Sequence, residues 1–227
     1  MAAKPPIELI YCADGNKRFA QIAIETGYLY GAQVPNTVYF PPYFCDQNWK
    51  NPDFERYMTA LSKHKPQLAS VIDWEDHVSR AEVLRWAESA AEFVETVIIV
   101  PKVAGGIATL PRVIGGKEVR LGYSVLTSFG GTIVSLTEFL GWPVHLLGGS
   151  PSKQFALAGL SGGKRLVDAP RLNVVSVDGN YHQLMARHNR FFIFDGSARY
   201  AKNRFWPTLR EADGKRWGDG SSKADAP

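Results

Sequence analysis

Along the chain, short runs of apolar and β-branched residues alternate with polar, helix-compatible stretches. Eight runs predict strands: Ile7–Cys12, Thr37–Phe40, Leu68–Trp74, Val97–Lys102, Val119–Val125, Val144–Gly148, Val174–Asp178 and Phe191–Asp195. Several are apolar almost throughout, the pattern of strands buried on both faces in a parallel sheet. The second run is the weakest, because Pro35, Pro41 and Pro42 flank it and each lacks a backbone donor. Arg80–Val94 has the clearest helical spacing, with Val83, Leu84, Ala87, Ala90, Ala91 and Val94 on one face. Ser79 suits its N-cap, with Glu82 three residues on. Asp53–Leu61, Thr132–Leu140 and Ser152–Leu160 are shorter helix expectations. Gly105-Gly106 and Gly115-Gly116 read as turns around a hairpin or a loop insertion.

Eight strands interleaved with helices predict an α/β fold, a single compact (β/α)8 TIM-type barrel over residues 1–210. An open doubly wound sheet is the alternative. The stretch 211–227, rich in Gly, Ser, Lys and Asp, reads as a flexible C-terminal tail. Hydrophobic residues make up 45% and charged residues 21% of the 227, which is enough apolar mass for a real core and excludes wholesale disorder. No apolar run approaches the roughly 20 residues of a membrane helix. The first residues lack a signal-peptide pattern, so a cytoplasmic protein is expected. Cys12 and Cys45, without a neighbouring histidine pattern, do not suggest a zinc site. The net charge of +4 is a mild bias toward polyanions.

In a barrel, chemistry gathers at the C-terminal ends of the strands. Polar residues there are Asp14, Asp73, Glu75, Lys102, Tyr123, Ser124 and Thr127, then His145, Gly148, Gly149 and Ser150, then Asp178, Asn180, His182 and Asp195. Carboxylates converging on one mouth can bind a metal, act as nucleophile or acid/base, or read N–H donors on a base. A strand-end Asp can also simply cap the next helix. Asp178 and Asp73 stand out because each terminates a strongly apolar run. Gly148-Gly149-Ser150-Pro151 is either a phosphate cradle or a tight turn. Gly130-Gly131-Thr132 reads the same way, and His145 reads as a packed strand residue. Arg187, Arg190, Arg199, Lys202 and Arg204, interleaved with Phe191, Phe192, Phe205 and Trp206, suit either nucleic-acid contact or a solvated basic face.

Val144-His-Leu-Leu-Gly-Gly-Ser-Pro151 followed by Asn173-Val-Val-Ser-Val-Asp178 resembles the consecutive strands of tRNA-guanine transglycosylases, the second of which bears the catalytic aspartate. Further elements occur in the same order over about residues 7 to 190. Tyr11-Cys-Ala-Asp14-Gly15 resembles the first Asp-Ser-Gly-Gly element, and Ser70-Val-Ile-Asp-Trp-Glu75 the strand whose aspartate reads the purine. Val97-Ile-Ile-Val-Pro-Lys102 matches the strand ending in a base-binding glutamine, and the segment from Val119 to Thr132 the glycine-containing base-binding strand. The chain departs from the pattern in lacking the four-ligand zinc motif, in Lys102 replacing glutamine, and in Gly179 following the presumed nucleophile. These departures better resemble the short relatives that insert 7-deazaguanines into DNA, many of them in phages or DNA-modification clusters.

The resemblance implies exchange of guanine for a 7-deazaguanine base in DNA rather than tRNA, without cofactor or metal. Asp178 is then the nucleophile, and Asp14 an acid/base or a second contact to the base. Asp73, Lys102, Gly122, Tyr123, Ser124, Gly148 and Gly149 surround the base, with Tyr123 or Trp74 stacking on it. Two other readings keep the barrel. One is a metal-dependent hydrolase or lyase with Asp14, Asp73, Asp178 and Asp195 as ligands. The other is a non-catalytic nucleic-acid-binding barrel.

Overall fold

A computed structural model describes residues 7–12, 16–127, 130–158 and 172–180. The elements run in the order β1 (Glu8–Cys12), α1 (Lys17–Glu25), β2 (Leu29–Val34), β3 (Phe44–Gln47), α2 (Phe54–His64), β4 (Leu68–Ser70), α3 (Arg80–Ala91), β5 (Thr96–Ile99), β6 (Val113–Ile114), β7 (Lys117–Ser124), β8 (Pro143–Leu147), α4 (Pro151–Leu157) and β9 (Asn173–Gly179). The sheet closes on itself as β1–β2–β3–β4–β5–β7–β8–β9 and back to β1, with every one of these pairings parallel. The short β6 lies antiparallel on β7 as a hairpin appendage, turned by Gly115 and Gly116 at φ 56° and 77°. Two successive left-handed residues are what such a tight hairpin turn requires.

The protein is thus an α/β barrel of eight parallel strands, but not all the strands are the expected ones. Thr37–Phe40 is not a strand, and it lies in the loop between β2 and β3. The prolines around it cannot donate to a ladder. The strands on either side, β2 and β3, escape the apolar pattern because their inward positions carry Gly31, Gln33 and Asp46, while Tyr30, Ala32, Val34 and Cys45 face outward. The expected strand Phe191–Asp195 lies outside the described residues, as do the tail 211–227 and the end of the expected barrel domain. Thr132–Leu140 is not an α-helix but holds a single 3₁₀ turn at Leu136–Phe139, started by Ser135 and closed by Gly141 at φ 77°. The helix α1, capped by Asn16, was not expected.

Two apolar layers hold the barrel. The larger lies between the strands and the outer helices. There α3 buries Val83, Trp86, Ala87, Ala90 and Ala91, and the Ser79 hydroxyl accepts the Glu82 amide at 3.1 Å, as its sequence predicts. The smaller layer lies inside the barrel, where Ile10, Phe44, Leu68, Ile98 and Val100 meet. Gly31 and Gly122 let it close. A Cβ on Gly122 would lie 2.7 Å from both Leu147 and Val100, and one on Gly31 2.7 Å from the Cys12 sulfur.

One irregularity positions the site. Val144 pairs with Val174, but the next residue, His145, pairs with Ser176, so Val175 has no partner on β8. A bulge of this kind switches the parity of the strand beyond it. It leaves Val174 in the outer layer and turns Ser176 and Asp178 into the barrel.

Candidate active site

The C-terminal ends of the strands surround an open cavity of about 940 Å³, with Cys12, Asp46, Asp73, Lys102, Leu147 and Asp178 in its floor and walls. The loop between β2 and β3, with Asn36, Thr37 and Tyr39, forms one side, and Thr127, Gly130 and Gly131 another. Trp49 stands at the rim, 51% exposed.

Asp178 ends β9 and is only 8% exposed. Its Oδ1 accepts the backbone N–H of Gly148 at 3.2 Å, and its Oδ2 accepts the Cys12 thiol at 3.2 Å. The Nε2 of His145 lies 3.3 Å from Oδ1, within ion-pair distance but off the line of a formed hydrogen bond. Burial first, and then the nearby Asp178 charge, push the Cys12 thiol well above its ordinary pKa. It therefore stays protonated and is the donor to Asp178. Gly148 and Gly149 have φ of 61° and 76°, and a Cβ on Gly149 would lie 2.5 Å from Val125. Glycine is needed to bring this turn under the carboxylate. Gln154 on α4 donates to the carbonyls of both Gly148 and Asp178, each at 2.7 Å, and so ties the ends of β8 and β9 together. The Gly148 amide thus serves a carboxylate of the chain itself, which favours the turn over the phosphate cradle.

Asp46, at the end of β3, is the residue the sequence pattern did not single out. It accepts a short hydrogen bond from Ser70 Oγ. Burial, and secondarily the Asp178 charge, push its carboxyl up to about 8 despite that bond. At neutral pH Asp46 is predominantly protonated. Beside it, Gln47 is buried and its side-chain oxygen has no partner among the described residues. A buried acceptor left unpaired invites a ligand N–H. Asp46 sits in a four-residue strand with no long apolar run leading to it, so only the assembled barrel reveals it.

Lys102 bridges two carboxylates, with Nζ 2.8 Å from Asp73 and 2.5 Å from Glu75. Burial disfavours its charge, but the two bonds outweigh that and raise its pKa. Asp73 is raised by burial, partly offset by Lys102.

Of the other expected site residues, Ser124 and Gly149 line the cavity, whereas Gly122 is packed beneath it. Tyr123 faces outward and meets Phe139 edge-on at 5.3 Å, so it does not stack over the cavity. Trp74 also faces outward, against Gly106. Strand alternation explains both, since each neighbours an inward residue. Asp14, Asp195, His182, Arg187, Arg190, Arg199, Lys202 and Arg204 lie outside the described residues. Among the described residues, no three His, Cys, Asp or Glu side chains are grouped to hold a metal ion. No described helix is long and apolar enough to cross a membrane.

Residues 23–212 match the family model described as "Family of unknown function (DUF6610)". No curated protein matches the chain.

Proposed function

We propose, for a chain that belongs to the DUF6610 family, a base-exchanging transglycosylase on a TIM-type (β/α)8 barrel, replacing guanine by a 7-deazaguanine in DNA through an ester of Asp178. The observation that carries this reading is two carboxyl groups lining one cavity, Asp178 and Asp46, with burial and the Asp178 charge pushing Asp46 up to about 8. Glycosyl transfer with retention needs such a pair, one group to attack the anomeric carbon and one to handle the leaving group's proton.

In the first half-reaction a carboxylate oxygen of Asp178 bonds to C1′ as the C1′–N9 bond breaks. The bonding electrons pass to guanine, and Asp46 gives its proton to the departing base. Once Asp178 is an ester its charge is gone, and with it one of the influences that raised Asp46. Asp46, now a carboxylate, takes the N9 proton of the incoming 7-deazaguanine. N9 then attacks C1′ and releases Asp178. In this reading Asp46 takes the acid/base part that the resemblance gave to Asp14.

Asp73 suits the purine N1–H and 2-amino donors, and Lys102 suits O6 or a deazaguanine substituent. Gln47 adds a buried acceptor without a partner among the described residues. The cavity volume is ample for one nucleoside, and a duplex must release its base from the stack to fill it.

Asp178→Ala should abolish exchange of labelled guanine while leaving the fold intact, and Asp178→Asn should prevent the covalent intermediate. Retained exchange in either variant would remove Asp178 as nucleophile. Mass spectrometry of nucleosides from the DNA and tRNA of expressing cells then reports which polymer is modified. Deazaguanine confined to tRNA would overturn the DNA assignment.

A further inference from the structure

The interior of the barrel is not uniformly apolar. Beneath Asp178 a column of polar side chains runs through it. Glu8 accepts from Tyr43 Oη at 2.9 Å and from Arg120 Nη1 at 2.7 Å. Arg120 Nη1 also donates to Ser176 Oγ at 3.2 Å, and Ser176 Oγ lies 2.7 Å from His145 Nδ1. The far side of the same ring faces Asp178 Oδ1 at 3.3 Å. His145 is 0% exposed, and its ring lies against Phe44 with centroids 5.0 Å apart. Polar groups placed this deep are costly unless their partners are matched, so the column calls for a role.

The donors in the column assign the histidine tautomer. A guanidinium has no acceptor, so Arg120 can only donate to Ser176. The arrangement that uses the Ser176 proton has its hydroxyl donating to Nδ1 and the ring proton on Nε2, which lies 3.3 Å from Asp178 Oδ1 but off the line of a formed hydrogen bond. The opposite tautomer leaves the Ser176 proton unused. It also sets the Nε2 lone pair against a carboxylate oxygen.

We propose that His145 is a positioning residue for Asp178: its Nε2–H, oriented by Ser176 and Arg120, acts with the Gly148 N–H to hold Oδ1 and leaves Oδ2 to react. Among the described residues Oδ2 accepts only from the Cys12 thiol, a weak donor. When Oδ2 becomes esterified, Oδ1 becomes the ester carbonyl, still accepting from the Gly148 N–H and still facing His145 Nε2. The hold therefore persists through the intermediate. The part about Oδ2 rests on Asp178 being the nucleophile, whereas the tautomer and the hold on Oδ1 do not.

The test has two readouts on the full chain. First, ring-nitrogen NMR of the 15N-histidine-labelled protein follows its five histidines, with His145→Gln identifying the His145 signals. The expected spectrum has a protonated Nε2 and an acceptor Nδ1, and Ser176→Ala loses that fixed tautomer. A proton on Nδ1 alone in the wild type would overturn the proposal. Second, base-exchange kinetics compare His145→Phe, which keeps a ring against Phe44, with His145→Gln, which keeps a donor. His145→Phe should lower kcat about 10- to 100-fold with KM within about threefold, and His145→Gln should recover most of that loss. An unchanged kcat in His145→Phe, or no recovery in His145→Gln, counts against it. Absence of exchange in the wild type would defeat the transglycosylase reading, while the NMR spectra would still decide whether His145 holds Oδ1.

Discussion

A carboxyl group that titrates near pH 8 leaves a mark on stability as well as on rate. Asp46 binds its proton more tightly in the folded chain than in the unfolded one, where a carboxyl has its ordinary, lower value. The native state therefore holds a proton that the unfolded chain has given up. Its contribution to stability is fully present below the ordinary carboxylate range and declines as pH rises toward about 8. Asp46→Asn keeps an acceptor for Ser70 and removes the titration. Denaturant melts of the two proteins should diverge with rising pH, the variant gaining on the wild type up to about pH 8 and running parallel above it. The same substitution should remove base exchange at every pH, while the wild-type rate should fall as pH rises through that value. A stability difference that stays constant from about pH 5, above the ordinary carboxyl value, to about pH 9, above the folded one, would show that Asp46 is not buried as a neutral acid.

At the scale of elements, glycines inside the barrel separate packing from binding. Gly122 fell among the expected substrate contacts because it sits in a strand resembling a base-binding one. Its missing side chain instead makes room for Leu147, Val100 and Ile98. Gly122→Ala should cost about 1–3 kcal/mol in chemical denaturation, as overpacking does, and should weaken substrate binding only by displacing Leu147 in the cavity floor. Unaltered stability would refute the packing role. The contrast shows what was legible in the sequence. The strands β1, β4, β5, β7, β8 and β9 are apolar runs that announce themselves, and Ser79 with Glu82 marks the start of α3. Asp178 and Asp73 follow, because each closes such a run. The strands β2 and β3 were not legible, since Gly31, Gln33 and Asp46 interrupt their inward faces, and Asp46 disappeared with them. Nor was the bulge at Val175 visible. It is a difference in register between two distant strands, and it decides that Ser176 and Asp178 face inward.

For the whole molecule, the barrel brings together residues 166 positions apart, Cys12 and Asp178, in a cavity open at one end. A polymer substrate can offer a single nucleotide to that opening only if its backbone is held outside it. Phosphate contacts supply such holding without reading sequence. The excess of four positive charges is the general resource for it. Arg187, Arg190, Arg199, Lys202 and Arg204 are the residues proposed to meet the phosphates. If all five do so on single-stranded DNA, log K should fall with log salt at a slope of about −3.5, each contact contributing about 0.7. Replacing Arg187 and Arg190 by alanine should make the slope shallower by about 1.4 and weaken binding alike on unrelated sequences. Fluorescence anisotropy with labelled oligonucleotides across a salt series measures both quantities. A slope unchanged by the double substitution would move the contact surface away from these residues. A loss of affinity confined to one sequence would mean that they read bases instead. Asp178→Asn, which changes the cavity and not its surroundings, should leave the slope as it is, so that polymer binding and base exchange separate cleanly.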